Sequence, residues 1–248
     1  MKLHAFIYGL ITCSICTMTS FMTSCADHDE YEVWVSEPDP DAIVTVKSTE
    51  DRICYFQLND SVTLHPVNLS SSPYGEKEVR ALLCYRNSGR AAQDLSQSIY
   101  VNWIDSILTK QMAPDLASAN DSVYGTDPVE IIDDWLTVAE DGYLTIHFKT
   151  YWGNTGKAHW VNLLPVKREG NIYEVEFRHH ANGDNDLNVN DALVAFKLDS
   201  LSDFDSDKIQ VKLKWRSFRG EKTMTLDCNA PKDTASYYVN TKYLIPLI

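Results

Sequence analysis

The second half of this chain alternates apolar and polar residues with a period of two. Tyr173, Val175 and Phe177 are separated by charged residues, and the same alternation recurs in residues 144–149 and 209–216. Successive side chains of a strand point to opposite faces, so this pattern is typical of antiparallel sheets with one buried and one solvated face. We therefore predict two sheets stacked as a β-sandwich.

The first half contains shorter runs of β-branched and aromatic residues, separated by polar turns. A sustained helical period is absent from residue 43 onward, apart from a turn or two at residues 113–119. The runs predict a small five-stranded barrel of the oligonucleotide/oligosaccharide-binding (OB) type. They cover residues 43–47, 52–58, 62–67, 79–86 and 98–103.

The N-terminus has the layout of a secretory signal peptide. Residues 5–21 are apolar or small with no ionised side chain, and Lys2 precedes them. Several Ser and Thr residues dilute this run, which makes it a poor membrane-spanning segment. It ends in Met22-Thr23-Ser24-Cys25, which resembles a bacterial lipobox. We predict that residues 1–24 are removed and that Cys25 becomes the lipid-carrying first residue.

The remaining chain divides into four predicted segments. An acidic tether covers residues 25–42, the barrel 43–119, a polar linker 120–127 and the sandwich 128–248. The acidic residues directly after Cys25 resemble the surface-export signal of lipoproteins from the Bacteroidota. We therefore expect a lipoprotein anchored in the outer membrane, with exposure on the cell surface left open.

Net charge and cysteine content exclude several functions. The formal net charge of −13 repels phosphate backbones, which argues against nucleic acid as a partner.

Of six cysteines, only Cys54, Cys84 and Cys228 lie in the folded part, so at most one disulfide can form there. Cys54 and Cys84 lie on predicted strands of the barrel and form a candidate disulfide. The alternative is that all three are buried thiols.

One loop has the composition of a calcium site. Asp184–Asp191 alternates carboxylate and amide side chains, whose oxygens suit calcium. However, Val189 and Ala195 stand where an EF-hand needs glycine and glutamate. The simpler interpretation is a polar turn between strands, and we predict no metal.

The histidines also predict no zinc site. The turn Gly153-Asn154-Thr155-Gly156 is predicted to join two strands as a hairpin. Pairing about this turn would place His147 and His159 on opposite faces, and the neighbours His179 and His180 would also point apart. A histidine satisfied by a hydrogen bond at a strand end is the favoured interpretation.

The chain carries no recognisable catalytic pattern. A nucleophile elbow, a P-loop and a His-Glu-x-x-His motif are absent, and nothing in the sequence pairs two carboxylates across a cleft. We predict a protein that is not an enzyme and needs no cofactor.

The aromatic residues are the remaining candidates for a binding site. Trp135, Trp160 and Trp215 are predicted to lie in the core. Tyr151 and Trp152 lie beside the turn and are candidates for stacking on a sugar or a protein partner, unless both fold back onto the sandwich.

The order and spacing of several short segments resemble those of the NigD-like lipoproteins of the Bacteroidota. The segments are Leu64-His65-Pro66-Val67-Asn68, Ile107-Leu108-Thr109-Lys110, Asp127-Pro128-Val129, Asp141-Gly142-Tyr143-Leu144, His159-Trp160-Val161-Asn162-Leu163, Phe177-Arg178-His179 and Gly220-Glu221-Lys222. The resemblance implies an all-β chain with an N-terminal OB-like barrel and a C-terminal immunoglobulin-like β-sandwich. It offers no catalytic residues to transfer.

These observations predict an envelope-anchored binding or accessory protein with a protein or glycan partner. The resemblance also implies an alternative, an immunity or production factor for a bacteriocin, because the family takes its name from a bacteriocin-associated gene cluster. A hydrolase acting on glycans is a third and weaker hypothesis.

Overall fold

The computed structural model describes residues 38–88, 96–186, 188–201 and 209–228. The signal segment, most of the tether and Cys25 lie outside the described residues, so their assignment stays a prediction. The described part is an all-β fold, as the sequence predicts.

The N-terminal domain is a closed five-stranded barrel. Its strands follow each other around the barrel in the order β1-β2-β3-β5-β4. Each of the five predicted runs overlaps one strand, and the prediction of an OB-like barrel is confirmed. Val44, Phe56 and Leu64 are fully buried in its interior. The strands are β1 (Ala42–Ser48), β2 (Cys54–Gln57), β3 (Thr63–Pro66), β4 (Val79–Asn87) and β5 (Ser96–Ser106).

The C-terminal domain is a β-sandwich, which also confirms the prediction. One sheet has the order β10-β11-β13-β14, and the other has β6-β12-β9-β7 with β8 paired to β9. The elements are β6 (Leu108–Gln111), a 3-10 helix (Ala117–Ala119), α1 (Asn120–Tyr124), β7 (Val129–Ile131), β8 (Val138–Glu140), β9 (Tyr143–Tyr151), β10 (Trp160–Glu169), β11 (Ile172–His180), β12 (Val189–Lys197), β13 (Gln210–Ser217) and β14 (Gly220–Asp227).

Apolar side chains from both sheets fill the space between them. The Phe177 ring lies 5.1 Å from the ring of Phe148 and 6.1 Å from that of Phe196, in edge-to-face contacts. The solvated face of β11 and β13 carries the charged residues that the alternation predicts. Lys212 donates to Glu174 across that face at 3.0 Å. Burial on the inner face follows the period of two, which is why the sequence identified these strands.

The sandwich begins earlier than the predicted boundary. β6 pairs in parallel with β12, which places residues 108–111 in the sandwich and not in the barrel. The predicted linker, residues 120–127, contains α1, and Asp121 of α1 binds Arg178 of β11 at 2.6 Å. A short strand shows its β propensity in sequence but not which sheet it joins, so the boundary could not be placed correctly.

The predicted hairpin at residues 153–156 is wrong. β9 pairs with β7, β8 and β12, whereas β10 pairs with β11 in the opposite sheet. Residues 152–159 therefore cross from one sheet to the other. Two strands joined by a glycine turn need not pair when each finds a partner elsewhere.

One face of β9 that the alternation predicts to be solvated is buried. Thr145 and His147 are fully buried because the barrel and the segment around Leu136 cover this face. Ile43 and Leu82 of the barrel belong to the same apolar cluster as Leu136. The sequence could not show this, because the covering surface comes from the other domain.

A buried arginine fastens this junction. Arg80 of β4 has no exposed surface and binds three partners. Its guanidinium donates to Glu140 Oε1 at 2.8 Å, to Thr45 Oγ1 at 3.0 Å and to Thr145 Oγ1 at 3.4 Å. Glu140 and Thr145 belong to the sandwich, so one barrel side chain joins both domains. The barrel and sandwich form one compact unit.

The candidate disulfide between Cys54 and Cys84 is not formed. Both are free, buried thiols, as is Cys228. Cys54 pairs with Ser48 at one end of β1, and Leu83, next to Cys84, pairs with Ala42 at the other end. Six residues of strand correspond to about 20 Å, and a disulfide needs Cα atoms within about 7 Å. Burial raises the pKa of Cys54 to about 11, which keeps it protonated.

Candidate functional site

An open cleft of about 600 Å³ lies on the barrel, between the β1–β2 turn and the segment that joins β3 to β4. Its volume falls in the usual range of small-ligand sites. Five hydroxyl-bearing side chains line it: Ser48, Thr49, Tyr55, Ser71 and Ser72. The cleft therefore offers many groups that both donate and accept hydrogen bonds.

Charged side chains complete the lining. There are three of each sign: Lys47, Arg52 and Lys77 against Glu50, Glu76 and Glu78. Arg52 of the β1–β2 turn and Glu76 of the facing segment form an ion pair at 3.3 Å, and their side chains are 82% and 83% exposed. Such an exposed pair contributes little to stability, so a ligand can replace it at low cost.

The sandwich holds one wall of this cleft in place. Lys47 lies opposite Tyr55 on the neighbouring strand, and its ammonium group binds Asp141 at 2.9 Å. Asp141 belongs to the β8–β9 turn and is itself fixed by a hydrogen bond from its backbone N–H to Asp60 at 3.1 Å. The Tyr55 ring stacks against His65 of β3, with ring centroids 6.4 Å apart. The cleft thus has a wall that exists before any ligand binds.

A second polar cluster lies inside the sandwich. His159 directly precedes β10 and His179 lies on β11, with His159 Nδ1 2.9 Å from His179 Nε2. His159 Nε2 lies 3.3 Å from Asp184 Oδ2, and His179 Nδ1 lies 3.4 Å from the Thr150 hydroxyl. We call Asp184, His159, His179 and Thr150 the histidine chain.

The carboxylate of Asp184 sets the direction of donation in the first part of this chain. An ionised Asp184 only accepts, so His159 presents Nε2–H to it and accepts at Nδ1 from His179 Nε2–H. The Thr150 hydroxyl donates to the Pro128 carbonyl oxygen at 3.1 Å and lies 3.4 Å from His179 Nδ1. Burial, followed by the neighbouring His159, lowers the pKa of His179 from 6.5 to about 4. A neutral His179 is therefore the stable form near pH 7.

Asp184 stays ionised because its neighbours outweigh its burial. Burial alone would raise its pKa, but hydrogen bonds from Thr155 and the adjacent His159 lower the pKa below its usual 3.8. The backbone N–H of Thr155 donates to Oδ1 at 3.1 Å. The chain thus ties the crossing segment 152–159 to the loop that follows β11.

The histidine chain is sealed from solvent. His159, His179 and Asp184 are each at most 2% exposed. Gly125, with φ of +77°, packs closely against the end of β11, since a Cβ there would lie 2.5 Å from the His179 carbonyl oxygen. A substrate cannot reach these imidazoles in this arrangement, and the cluster stabilises the fold.

This cluster is not predictable if residues 153–156 form a hairpin between paired strands. Once β9 and β10 belong to different sheets, the face assigned to His159 by pairing with β9 no longer applies. Its correct neighbour is β11, where Trp160 pairs with His180 and Val161 with His179. The signal that could have found it is the spacing of the apolar inner residues of β10 and β11, which continues into His159 and His179.

The candidate calcium loop is used for structure. Both carboxylate oxygens of Asp184 have partners within the protein, and residues 189–191 belong to β12. Asp191 lies 3.6 Å from His147 and 3.8 Å from Lys149, two residues of β9. Across the described ranges, no group of three or more His, Cys, Asp or Glu side chains is arranged to hold a metal ion.

The aromatic residues beside the crossing segment fold back onto the sandwich. The Tyr151 ring lies 4.6 Å from that of Phe218, and Trp152 packs against the main core. Both are partly buried, which is the alternative considered for this pair. Trp215 is buried as predicted, but Trp160 is 43% exposed and faces the His180 ring at 5.6 Å. The prediction that Trp160 lies in the core is wrong, because it falls on the outer face of β10.

Family models match both domains with the boundaries that the strands show. Residues 43–107 match the NigD-like N-terminal OB domain, and residues 111–228 match the NigD-like C-terminal β-sandwich domain. The chain belongs to the NigD-like family. The match to the second model begins within β6, which agrees with the placement of β6 in the sandwich.

Solved structures of similar proteins come from Parabacteroides and Bacteroides species. A protein of Parabacteroides distasonis described as toxin-related shares 32% identity with this NigD-like protein, with TM-score 0.62, covering 76% of this chain and 92% of that one. A NigD-like immunity protein of Bacteroides caccae has 20% identity and TM-score 0.53, covering 77% and 91%. A Bacteroides fragilis protein described as a lipoprotein has 12% identity and TM-score 0.51, covering 76% and 96%.

The last two likenesses establish the shared fold. A comparison with curated proteins found no relative. Among the described residues of the NigD-like protein, no helix is long and apolar enough to cross a membrane.

Proposed function

We propose that this NigD-like protein is a lipid-anchored, non-catalytic binding protein of the cell envelope, which holds its ligand in the barrel cleft. The open cleft carries this proposal. Its two margins, the β1–β2 turn and the facing segment, are solvated, and one wall is fixed by Lys47 and Asp141. A preformed wall beside replaceable polar contacts suits reversible binding.

The absence of a catalytic role rests on where the titratable groups lie. The histidine chain groups two imidazoles with a carboxylate, and it is sealed from solvent. The carboxylates of the cleft are matched in number by cations, and one of them, Glu76, already binds Arg52. Binding without turnover is the function that fits both observations.

Attachment through Cys25 supplies the location, and the lipoprotein description of the Bacteroides fragilis neighbour supports it. Labelled palmitate should be incorporated into the full-length protein. The labelled protein should then fractionate with membranes. A Cys25→Ala variant should take up no label and be released, while Cys16→Ala, a matched control within the signal segment, should behave as wild type. Label in Cys25→Ala would contradict the anchor.

Binding is tested by filling the cleft. Ser71 is exposed and lines the cleft, so Ser71→Trp should block it without disturbing the core. We expect arrays of glycans and of peptides to give at least one ligand that binds wild type and not Ser71→Trp. If every ligand binds both proteins equally, or none binds, the cleft is not the functional site.

A second candidate function is immunity against a peptide toxin, as an immunity or production factor. Two similar proteins, one described as an immunity protein and one as toxin-related, favour it. A gene for a secreted peptide and its exporter beside the gene for this chain would support immunity. Survival of a sensitive host expressing the chain, when exposed to that peptide, would be the direct measurement.

A further inference from the structure

We infer that the barrel cleft binds a neutral oligosaccharide, because it joins a charge-balanced, hydroxyl-rich lining to one aromatic wall. This inference rests on the proposed function, since it names the chemical class of ligand for the same cleft. Three properties of the cleft lead to this inference: its charge, its hydrogen-bonding groups and its aromatic wall.

Charge excludes strongly ionic ligands. Three cations and three carboxylates line the cleft, and one pair of them, Arg52 and Glu76, already bind each other. The whole chain has a formal net charge of −13, so the surrounding field repels polyanions such as nucleic acids and acidic glycans. A polycation would be attracted by that field, but Lys47, Arg52 and Lys77 oppose it inside the cleft. A ligand without net charge is repelled neither by the negative field of the chain nor by the cations of the cleft.

The hydrogen-bonding groups match a sugar. A sugar hydroxyl donates one hydrogen bond and accepts others, so it is best served by partners of mixed type. The cleft supplies hydroxyls from Ser48, Thr49 and Ser71, together with ammonium, guanidinium and carboxylate groups. Charge-assisted bonds to such groups are stronger than neutral ones. A neutral polyol can use donors and acceptors of both kinds at once.

The aromatic wall provides an apolar surface for a sugar ring. Tyr55 lines the cleft and lies nearly parallel to His65, with an angle of 27° between the rings. Tyr55 lies on β2 and His65 on β3, and these are the strands through which OB barrels bind oligosaccharides and oligonucleotides. Tyrosine carries both a flat apolar face and a hydroxyl, and either can contact a sugar. The cleft is also open, so it can admit a chain that continues beyond its ends.

The test uses the full mature chain and defined probes. Isothermal titration with neutral hexasaccharides (maltohexaose, xylohexaose and mannohexaose) is compared with hexagalacturonic acid and with a chitosan hexamer. At least one neutral hexasaccharide should bind more tightly than the charged ones. Tyr55→Ala should weaken that affinity about ten-fold, and Tyr55→Phe should weaken it less, because the ring remains. Tyr100→Ala is the matched control: Tyr100 is an exposed barrel tyrosine that stacks on Arg86 away from the cleft, and its replacement should change nothing.

The outcomes separate this inference from the proposed function. Tyr55 is partly buried, so Ser71→Trp serves as a second variant with an exposed substitution, and thermal melting confirms that each variant folds. Neutral saccharide binding that survives both Tyr55→Ala and Ser71→Trp overturns the inference. Binding of a peptide or a charged glycan that Ser71→Trp abolishes, with no neutral saccharide bound, also overturns it but leaves the proposed function standing. No cleft-dependent binding of any probe class overturns both.

Discussion

The histidine chain of the sandwich and the cleft of the barrel are built from similar polar side chains in opposite surroundings. His159 and Asp184 are at most 1% exposed, and His159 Nε2 lies 3.3 Å from Asp184 Oδ2. Arg52 and Glu76 at the mouth of the cleft are more than 80% exposed. The polar groups of the histidine chain are shielded from solvent, whereas those at the mouth of the cleft are exposed to it.

This difference separates stability from binding. A buried polar group that loses its partner costs the full free energy of its desolvation, so the histidine chain must stay intact for the sandwich to close. A solvated polar group exchanges water for a ligand at little cost. Burial, and not the type of side chain, therefore decides which polar cluster holds the fold and which is available for a partner.

The largest expected effect is the loss of the acceptor at the end of the histidine chain. Asp184→Ala leaves His159 Nε2–H buried without a partner and opens a small cavity. We expect the free energy of unfolding to fall by about 3 to 4 kcal/mol, measured by urea denaturation at pH 7. Asn185→Ala, one residue further along the same loop and exposed, is the matched control and should change stability by less than about 0.5 kcal/mol.

Equal stability of these two variants would contradict the structural role of the chain. A large loss in both would instead mean that the loop backbone, and not the carboxylate, is responsible. Asp184→Asn separates charge from shape, because an amide oxygen can still accept from His159.

The second effect is a loss of stability in mild acid. In the folded protein the pKa of His179 is lowered to about 4, whereas in the unfolded chain it is near 6.5. The unfolded chain therefore binds a proton first as the pH falls. The stabilisation is complete above about pH 6.5 and is lost by about pH 4, with a total of about 3 kcal/mol from this group.

Urea denaturation at several pH values between 7 and 4 measures this slope. In His179→Gln the slope over that range should flatten, because the titrating group is gone. His65→Gln, which changes an exposed histidine of the barrel, should leave the slope as it is. An unchanged slope in His179→Gln would assign the acid sensitivity to other groups.

Much of the fold was predictable because burial on one face leaves a period in the sequence. The five barrel strands and the alternating strands β11 and β13 were identified in this way. What failed was the pairing of strands: β9 with β10, and the assignment of β6. Pairing depends on contacts between distant segments, such as β6 with β12, and no local pattern of residues records them.

The candidate site was less predictable for the same reason. The OB-like barrel was expected, but its cleft forms where the β1–β2 turn meets residues 71–78, which are adjacent only after folding. The candidate aromatic residues, Tyr151 at the end of β9 and Trp152 directly after it, fold back onto the sandwich. Tyr55 was hidden inside a predicted strand, since alternation indicates that one face is outward but not that it borders a cleft.

The third effect tests whether burial has the same consequence in the barrel as in the sandwich. Arg80→Met removes a buried cation and leaves Glu140 with less compensation. Burial is the main cause that raises the pKa of Glu140, and loss of Arg80 should raise it further, so this carboxyl can take up a proton. We therefore expect a loss no larger than for Asp184→Ala, about 3 kcal/mol, the lower end for a broken buried pair.

Removing both partners of this pair should restore most of the loss. In Arg80→Met/Glu140→Leu no buried charge remains, and apolar side chains of similar size can fill the junction. If the double variant is less stable than Arg80→Met alone, the two side chains are not coupled in the way that their 2.8 Å contact indicates.

The smallest expected effect is at the mouth of the cleft. Arg52→Ala breaks the exposed ion pair with Glu76, and we expect the free energy of unfolding to change by less than about 0.5 kcal/mol. Arg52 also has a positive φ of 64°, so Arg52→Gly should be neutral or slightly stabilising, because glycine adopts this conformation without strain. The same Arg52→Ala variant should nevertheless alter affinity for any ligand of the cleft. A loss of stability comparable to that of Asp184→Ala would mean that the cleft, like the histidine chain, is part of the framework, and the distinction between the two regions would fail.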